Sequence, residues 1–238
     1  MFGRIFSRPQ PPKDRVLQVD PASAAGQVYS LAAQVASLRA DSKSPKAVGM
    51  VNVANSSNMQ RLSVDFAIAL TRFIDGPVLL VHPNTGSGRK NAENSLQTHE
   101  LFGWTEIVDG RCNYQDVVRQ TSIDRLSILN FGMPKRSSRS ATSAAEKDIT
   151  TQSISTTLKV LKQDYEFIVF QLPSVVQDVT ALSLASVLDG VIVVIEHRAT
   201  RMSQIKSYVE FLQNHNVHVV GAVMNRYRSF LPSFLRRK

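Results

Sequence analysis

The chain has 238 residues, 43% hydrophobic and 20% charged, with 28 Lys+Arg against 19 Asp+Glu and a formal net charge of +9. This is globular composition, which excludes a disordered polyelectrolyte, and the single cysteine, Cys112, excludes a disulfide framework or a cysteine-rich zinc site. The longest apolar runs are about five residues against the roughly 20 of a membrane helix, and the start of the chain lacks the apolar core and cleavage site of a secretory signal, so a cytoplasmic protein with one sizeable domain is expected.

The position of the charge matters more than its sum. Residues 1–50 carry 7 Lys+Arg and 3 Asp+Glu, residues 226–238 carry 5 and none, and residues 51–225 carry 16 of each. The whole surplus sits on the two ends, whereas a duplex-DNA groove spreads Lys and Arg over a folded face. Nucleic acid is therefore not the expected partner.

In chain order, residues 1–20 form a short basic and aromatic stretch followed by a proline-containing segment, Pro9 with Pro11 and Pro12, which resists helix and reads as a tail. From Pro21 the spacing of Val28, Leu31, Ala32, Val35 and Leu38 predicts an amphipathic helix that ends before Ser44-Pro45. Apolar runs at 47–53, 78–82, 126–131, 167–171, 191–195 and 217–224 read as strands. Helical patterns at 59–74, 178–188 and 200–214 separate several of them, with Leu62, Phe66, Ala69, Leu70 and Phe73 on the buried side of the first. Residues 134–145, small, polar and basic, read as a loop. Near-continuous apolar strands alternating with helices predict a doubly wound α/β domain, with a mainly parallel sheet of about six to seven strands and helices on both faces.

In such a sheet the ligand site lies beyond the C-terminal ends of the strands. The turn after the first strand, residues 54–58, is where a phosphate loop would sit, with glycines for close backbone approach and Lys on the phosphates. That turn contains no glycine, and the chain contains no Gly-Lys pair.

The order of the elements and the phrases PASAAGQVYSLAAQV, DFAIAL, GPVLLVHPN, RLSILNFG, YEFIVFQLPS, LDGVIVVIEHRATR and VVGAVMNR, spread over residues 20–228, resemble the bacterial tyrosine kinases (BY-kinases). That family has the deviant-Walker P-loop NTPase fold and works with membrane polysaccharide co-polymerases in capsule and exopolysaccharide export. The resemblance implies a single P-loop-NTPase-like domain over 21–228, with basic tails at 1–20 and 229–238. It aligns the family's Gly-Lys-Ser-Thr with Asn58, Met59, Gln60 and Arg61, the two aspartates after the second strand with His82 and Asn84, and the Walker B aspartate with Gln171. Asn225 and Arg226 match the base-contacting end of the last strand.

None of these positions supplies the lysine or the carboxylates. Magnesium takes hard anionic oxygens, and phosphoryl transfer rests on positioning and charge neutralisation, so the expected site is degenerate, with no metal, no cofactor and no catalytic residue. ATP with magnesium enters only under the alternative of a divergent active autokinase or ATPase using Arg61. A partitioning-type ATPase relative that binds DNA or a membrane surface is the other alternative. The family's ring-assembly row, Glu-x-x-Arg-x-x-Arg, aligns with Gly26, Tyr29 and Ala32, and its tyrosine-rich tail is reduced to Tyr227.

Other features have plainer readings. Gly86-Ser87-Gly88-Arg89-Lys90 reads as a turn, and His82, His99, His197, His215 and His218 lack metal-ligand spacing. No Gly-x-Ser-x-Gly elbow is present, and Cys112 has one cationic neighbour, Arg111, and no paired base. At the ends, Phe2, Arg4, Phe6 and Arg8, and Phe234, Arg236, Arg237 and Lys238, combine apolar and basic groups suited to an anionic membrane surface. The expectation is a catalytically inactive BY-kinase-like regulator or scaffold, peripheral at the inner face of the cell membrane. Its partner would be the cytoplasmic part of an inner-membrane polysaccharide co-polymerase.

Overall fold

The apolar runs lie side by side in one sheet. The computed structural model describes residues 24–37, 45–53, 59–83, 102–132, 144–197 and 199–225. In chain order the elements are α1 (Ala24–Ser37), β1 (Ala47–Asn52), α2 (Met59–Leu70), β2 (Val78–His82), α3 (Trp104–Val108), α4 (Tyr114–Val117), β3 (Arg119–Gln120) and β4 (Leu126–Asn130). There follow α5 (Ala144–Asp164), β5 (Phe167–Gln171), α6 (Val179–Val187), β6 (Gly190–Glu196), α7 (Met202–Asn214) and β7 (Val219–Asn225). The seven strands run in the order β3-β4-β2-β5-β1-β6-β7. Every pairing is parallel except β3 with β4.

Side-chain alternation along the strands divides the core into two layers. Ala47, Val51, Leu79, Val81, Ile168, Phe170, Val191 and Val193 face one way, packing with Ile154, Leu158 and Leu161 of α5, Ala181 and Leu184 of α6 and Leu212 of α7. Val48, Met50, Val78, Leu80, Phe167, Val169, Ile192 and Val194 face the other way, beneath Val28, Ala32 and Val35 of α1 and Leu62, Phe66 and Leu70 of α2. Each Val, Leu, Ile, Phe or Met side chain among them, fully buried, contributes about 1.5–3 kcal/mol, which is why both faces must be covered. Gly49 sits where neighbouring side chains close in. A methyl there would lie 2.8 Å from Leu172 Cδ1 and 2.9 Å from Leu188 Cδ1.

At the opposite, N-terminal edge of the sheet Asp189 ties three elements together. Its Oδ2 accepts the backbone N–H groups of Lys46 and Ala47, both at 2.8 Å, and its Oδ1 accepts Lys162 Nζ at 2.6 Å.

Several elements differ from the sequence expectation. The helix expected over 59–74 ends at Leu70, and the chain tightens through Arg72 N–H to Ala69 O and Phe73 N–H to Leu70 O. Ile74 remains buried beyond that turn, so the apolar spacing outlasts the helix. Residues 144 and 145, expected in a loop, begin α5, and the rest of that loop lies outside the described residues apart from its neighbours. α5 is rich in Ser and Thr, poor helix formers, and gives little sequence signal. Its row Ile154, Leu158 and Leu161, spaced i, i+4, i+7, is buried against the sheet, and that tertiary burial holds the helix. The short α3, α4 and β3 were too brief to leave a periodic pattern. Among the described residues no helix is long and apolar enough to cross a membrane.

Candidate functional site

Because six strands run parallel, their C-terminal ends share one edge of the sheet. The last residues there are Asn52, His82, Asn130, Gln171, Glu196 and Asn225. Five are neutral polar groups or imidazole, and the one carboxyl group is on β6, in register with Asn225 of β7. Neither β2 nor β5 ends in an acid.

Gln171 is the best-defined position of the expected nucleotide site. It continues the row Phe167, Val169 toward α2 and is 8% exposed. Its Oε1 accepts a hydrogen bond from Ser63 Oγ at 2.8 Å, and the same hydroxyl lies 2.9 Å from the carbonyl of Gln60. A buried amide and a buried hydroxyl thus satisfy each other between β5 and the first turns of α2. The bond carries no net charge and points the Gln171 amide into the helix packing.

Met59 opens α2 and is buried in the α1–α2 layer, among the apolar side chains of that face. Gln60 is half-buried and bonds through its carbonyl. Arg61 points outward. Its side chain is 90% exposed and its Nε lies 3.7 Å from Asp65 Oδ2, one turn on along the helix. His82, at the end of β2, approaches the Pro83 carbonyl through Nδ1 at 2.9 Å, while its own carbonyl accepts Phe131 N–H. The Asn225 carbonyl accepts His197 N–H at 3.1 Å. The structure therefore brings Met59, Gln171 and His82 to neighbouring elements, since β5 lies between β1 and β2. Asn58, Asn84, Arg226, Gly86–Lys90, His99, Tyr227 and every tail residue singled out (Phe2, Arg4, Phe6, Arg8, Phe234, Arg236, Arg237 and Lys238) lie outside the described residues.

The positions aligned with the ring-assembly row do not face outward. Charges that reach a neighbouring molecule require an outward row, yet Gly26 and Ala32 are buried, and Tyr29 is half-buried with its ring edge-on to Phe73 at 6.2 Å. The more outward row lies one residue on, at Gln27, Ser30 and Ala33, of which Ser30 is exposed and the other two half-buried. That row is equally uncharged.

Ser63 was not anticipated. The available signal was a polar residue on the buried side of an amphipathic helix, between Leu62 and Phe66, which needs a partner when buried. Glu196 was also missed. It is buried, and its Oε1 has no hydrogen-bond partner among the described residues.

Elsewhere, a shallow depression of about 360 Å³ is lined by Phe102, Gly110, Arg111, Cys112, Asn113 and Asp116. None of Met59, His82, Gln171 or Asn225 lines it. Burial and the nearby carboxylates of Glu106 and Asp116 push the Cys112 thiol up, outweighing Arg111, so the group is not an activated nucleophile. Among the described residues no cluster of three or more His, Cys, Asp or Glu could hold a metal ion.

The strand order, the parallel sheet and the helices on both faces define a P-loop-NTPase-like α/β fold. By sequence, no family model and no curated protein matches the chain. By structure, the chain is similar to the MinD cell division protein of Aquifex aeolicus, with a TM-score of 0.54 at 14% identity over 77% of this chain and 70% of that one. It is also similar to bacterial tyrosine kinase domains. The kinase domain of the Escherichia coli tyrosine kinase ETK gives 0.65 at 12% identity, covering 87% of this chain and 79% of that one. The VpsO kinase domain gives 0.62 at 19% identity, covering 85% and 98%. At these identities the likeness is one of fold.

Proposed function

We propose that this chain is a catalytically inactive relative of the bacterial tyrosine kinases that regulates or scaffolds a membrane polysaccharide co-polymerase in exopolysaccharide or capsule synthesis and export. The observation that carries the reading is the Ser63–Gln171 hydrogen bond. Where the family resemblance requires an aspartate facing magnesium, a neutral amide is buried and engaged by α2. Met59, at the lysine position, packs in the core, and His82 and Gln171 give the strand ends no carboxylate. A magnesium–phosphate complex would meet uncompensated charge on entering this edge.

In this reading residues 21–228 act as one docking unit, and the basic tails 1–20 and 229–238 add attachment at the anionic leaflet, at about 1 kcal/mol per Lys or Arg near the surface. Titration calorimetry with ATP and magnesium is expected to give no magnesium-dependent heat. The chain is expected to co-purify with the co-polymerase, and its deletion to reduce polymer, while a folded Gln171→Ala variant restores it. Tight magnesium-dependent ATP binding overturns the reading in favour of a divergent ATPase.

A further inference from the structure

The two edges of the sheet are built differently. At one, β3 is two residues long, antiparallel to β4, exposed, and carries Arg119. A short, charged edge strand resists pairing with another chain. At the other, β7 is seven residues long, VVGAVMN, with no charge and no proline. Gly221 and Ala222 are exposed, Met224 is 45% exposed, and a methyl built on Gly221 would meet no atom within 4 Å.

The direction of the outer hydrogen-bonding groups follows from the inner ones. Val191 N–H bonds to His218 O and His197 N–H to Asn225 O. A register irregularity opposite Val191/Ile192 separates these two contacts; beyond it Asn225 faces β6, as do Val223 and Gly221 by alternation, so the N–H and C=O groups of Ala222 and Met224 point away from the sheet. No described group bonds to them there.

We propose that β7 is a self-association strand, pairing antiparallel with β7 of a second copy of this chain to form one continuous sheet. A second copy fits better than a charged partner because the strand offers no charge to read. The symmetry also manages the basic ends. Residues 226–238 carry five positive charges directly after β7. Antiparallel pairing about Ala222 sets the two departures apart by the strand length, about 23 Å at roughly 3.3 Å per residue, which is some three Debye lengths in physiological salt. Parallel pairing would place ten like charges together. In the antiparallel register Ala222 of each copy lies opposite Ala222 of the other, clear of the irregularity at Val220. The outward amides and carbonyls are then satisfied reciprocally, in the isologous manner of a two-fold interface. This inference is independent of whether nucleotide binds.

The test is sedimentation of the full chain over about 1–100 µM, the range in which modest interfaces dissociate. The expected species has twice the chain mass of 26.4 kDa. Ala222→Pro removes one outward N–H and leaves the β6 ladder intact, and Met224→Lys charges the edge. Each is expected to weaken dimerisation about tenfold or more, while Gln120→Lys on the β3 edge leaves it unchanged. Hydrogen exchange on the unmodified chain supplies a readout free of folding effects, with the amides of Ala222 and Met224 gaining protection as concentration rises. A monomer throughout, a dimer that neither β7 substitution weakens, or protection that appears only when another protein is added would each overturn the proposal.

Discussion

Removing the Ser63 hydroxyl tests whether a neutral hydrogen bond ties α2 to β5 at the C-terminal edge of the sheet. Ser63→Ala leaves Gln171 Oε1 buried at 8% exposure without its donor. An orphaned buried polar group costs about 1–3 kcal/mol, and the better helix propensity of Ala returns a few tenths, so a net loss of about 1–2 kcal/mol is expected. For a chain of this length that is a fall of about 2–8 °C in Tm. Gln171→Leu should cost less, because Ser63 Oγ keeps a second acceptor, the Gln60 carbonyl at 2.9 Å. The double variant removes both polar groups and should be more stable than the sum of the single losses by about 1 kcal/mol. Urea unfolding of the four proteins closes the cycle, with m values checked for constancy. A loss below about 0.5 kcal/mol for Ser63→Ala, or strict additivity in the double variant, would refute the assignment of this bond as the latch between α2 and β5.

Two further outcomes follow from single groups. The Tyr208 hydroxyl is buried without a partner, and burial pushes its pKa from 10.0 up to about 12. The unfolded chain then loses this proton before the folded one, so the contribution is intact below pH 10 and declines as pH rises toward 12. Tyr208→Phe should flatten that decline, which for two pH units amounts to about 2–3 kcal/mol, and should raise neutral-pH stability by about 1 kcal/mol, as read from urea midpoints at both pH values. Asp189→Ala leaves the Lys46 and Ala47 amides and Lys162 without their common acceptor, and should cost about 2–4 kcal/mol in the same assay.

The strands were legible because parallel strands covered on both faces are apolar at nearly every position, as in VLLVH and FIVFQ. α5 was not legible, because its described buried residues, Ile154, Leu158 and Leu161, stand among many Ser and Thr. The candidate site was half legible. The absent lysine and acids could be read at Met59, His82 and Gln171, since a missing charge is visible in one dimension. The bond between Ser63 and Gln171, across 108 positions, was not.

The +9 charge was likewise divided by the sequence itself, with a neutral stretch over 51–225 and basic ends. What the sequence determined alone was identity at each strand end and the side of the sheet each residue takes, because alternation and helical period are local. What only the tertiary structure decided was which elements become neighbours. It placed β5 against β1, made the two-residue β3 one edge and set β7 at the other edge of the described sheet. Those outcomes depend on non-local burial and pairing, in which a residue's partner is set by the packing of the whole sheet.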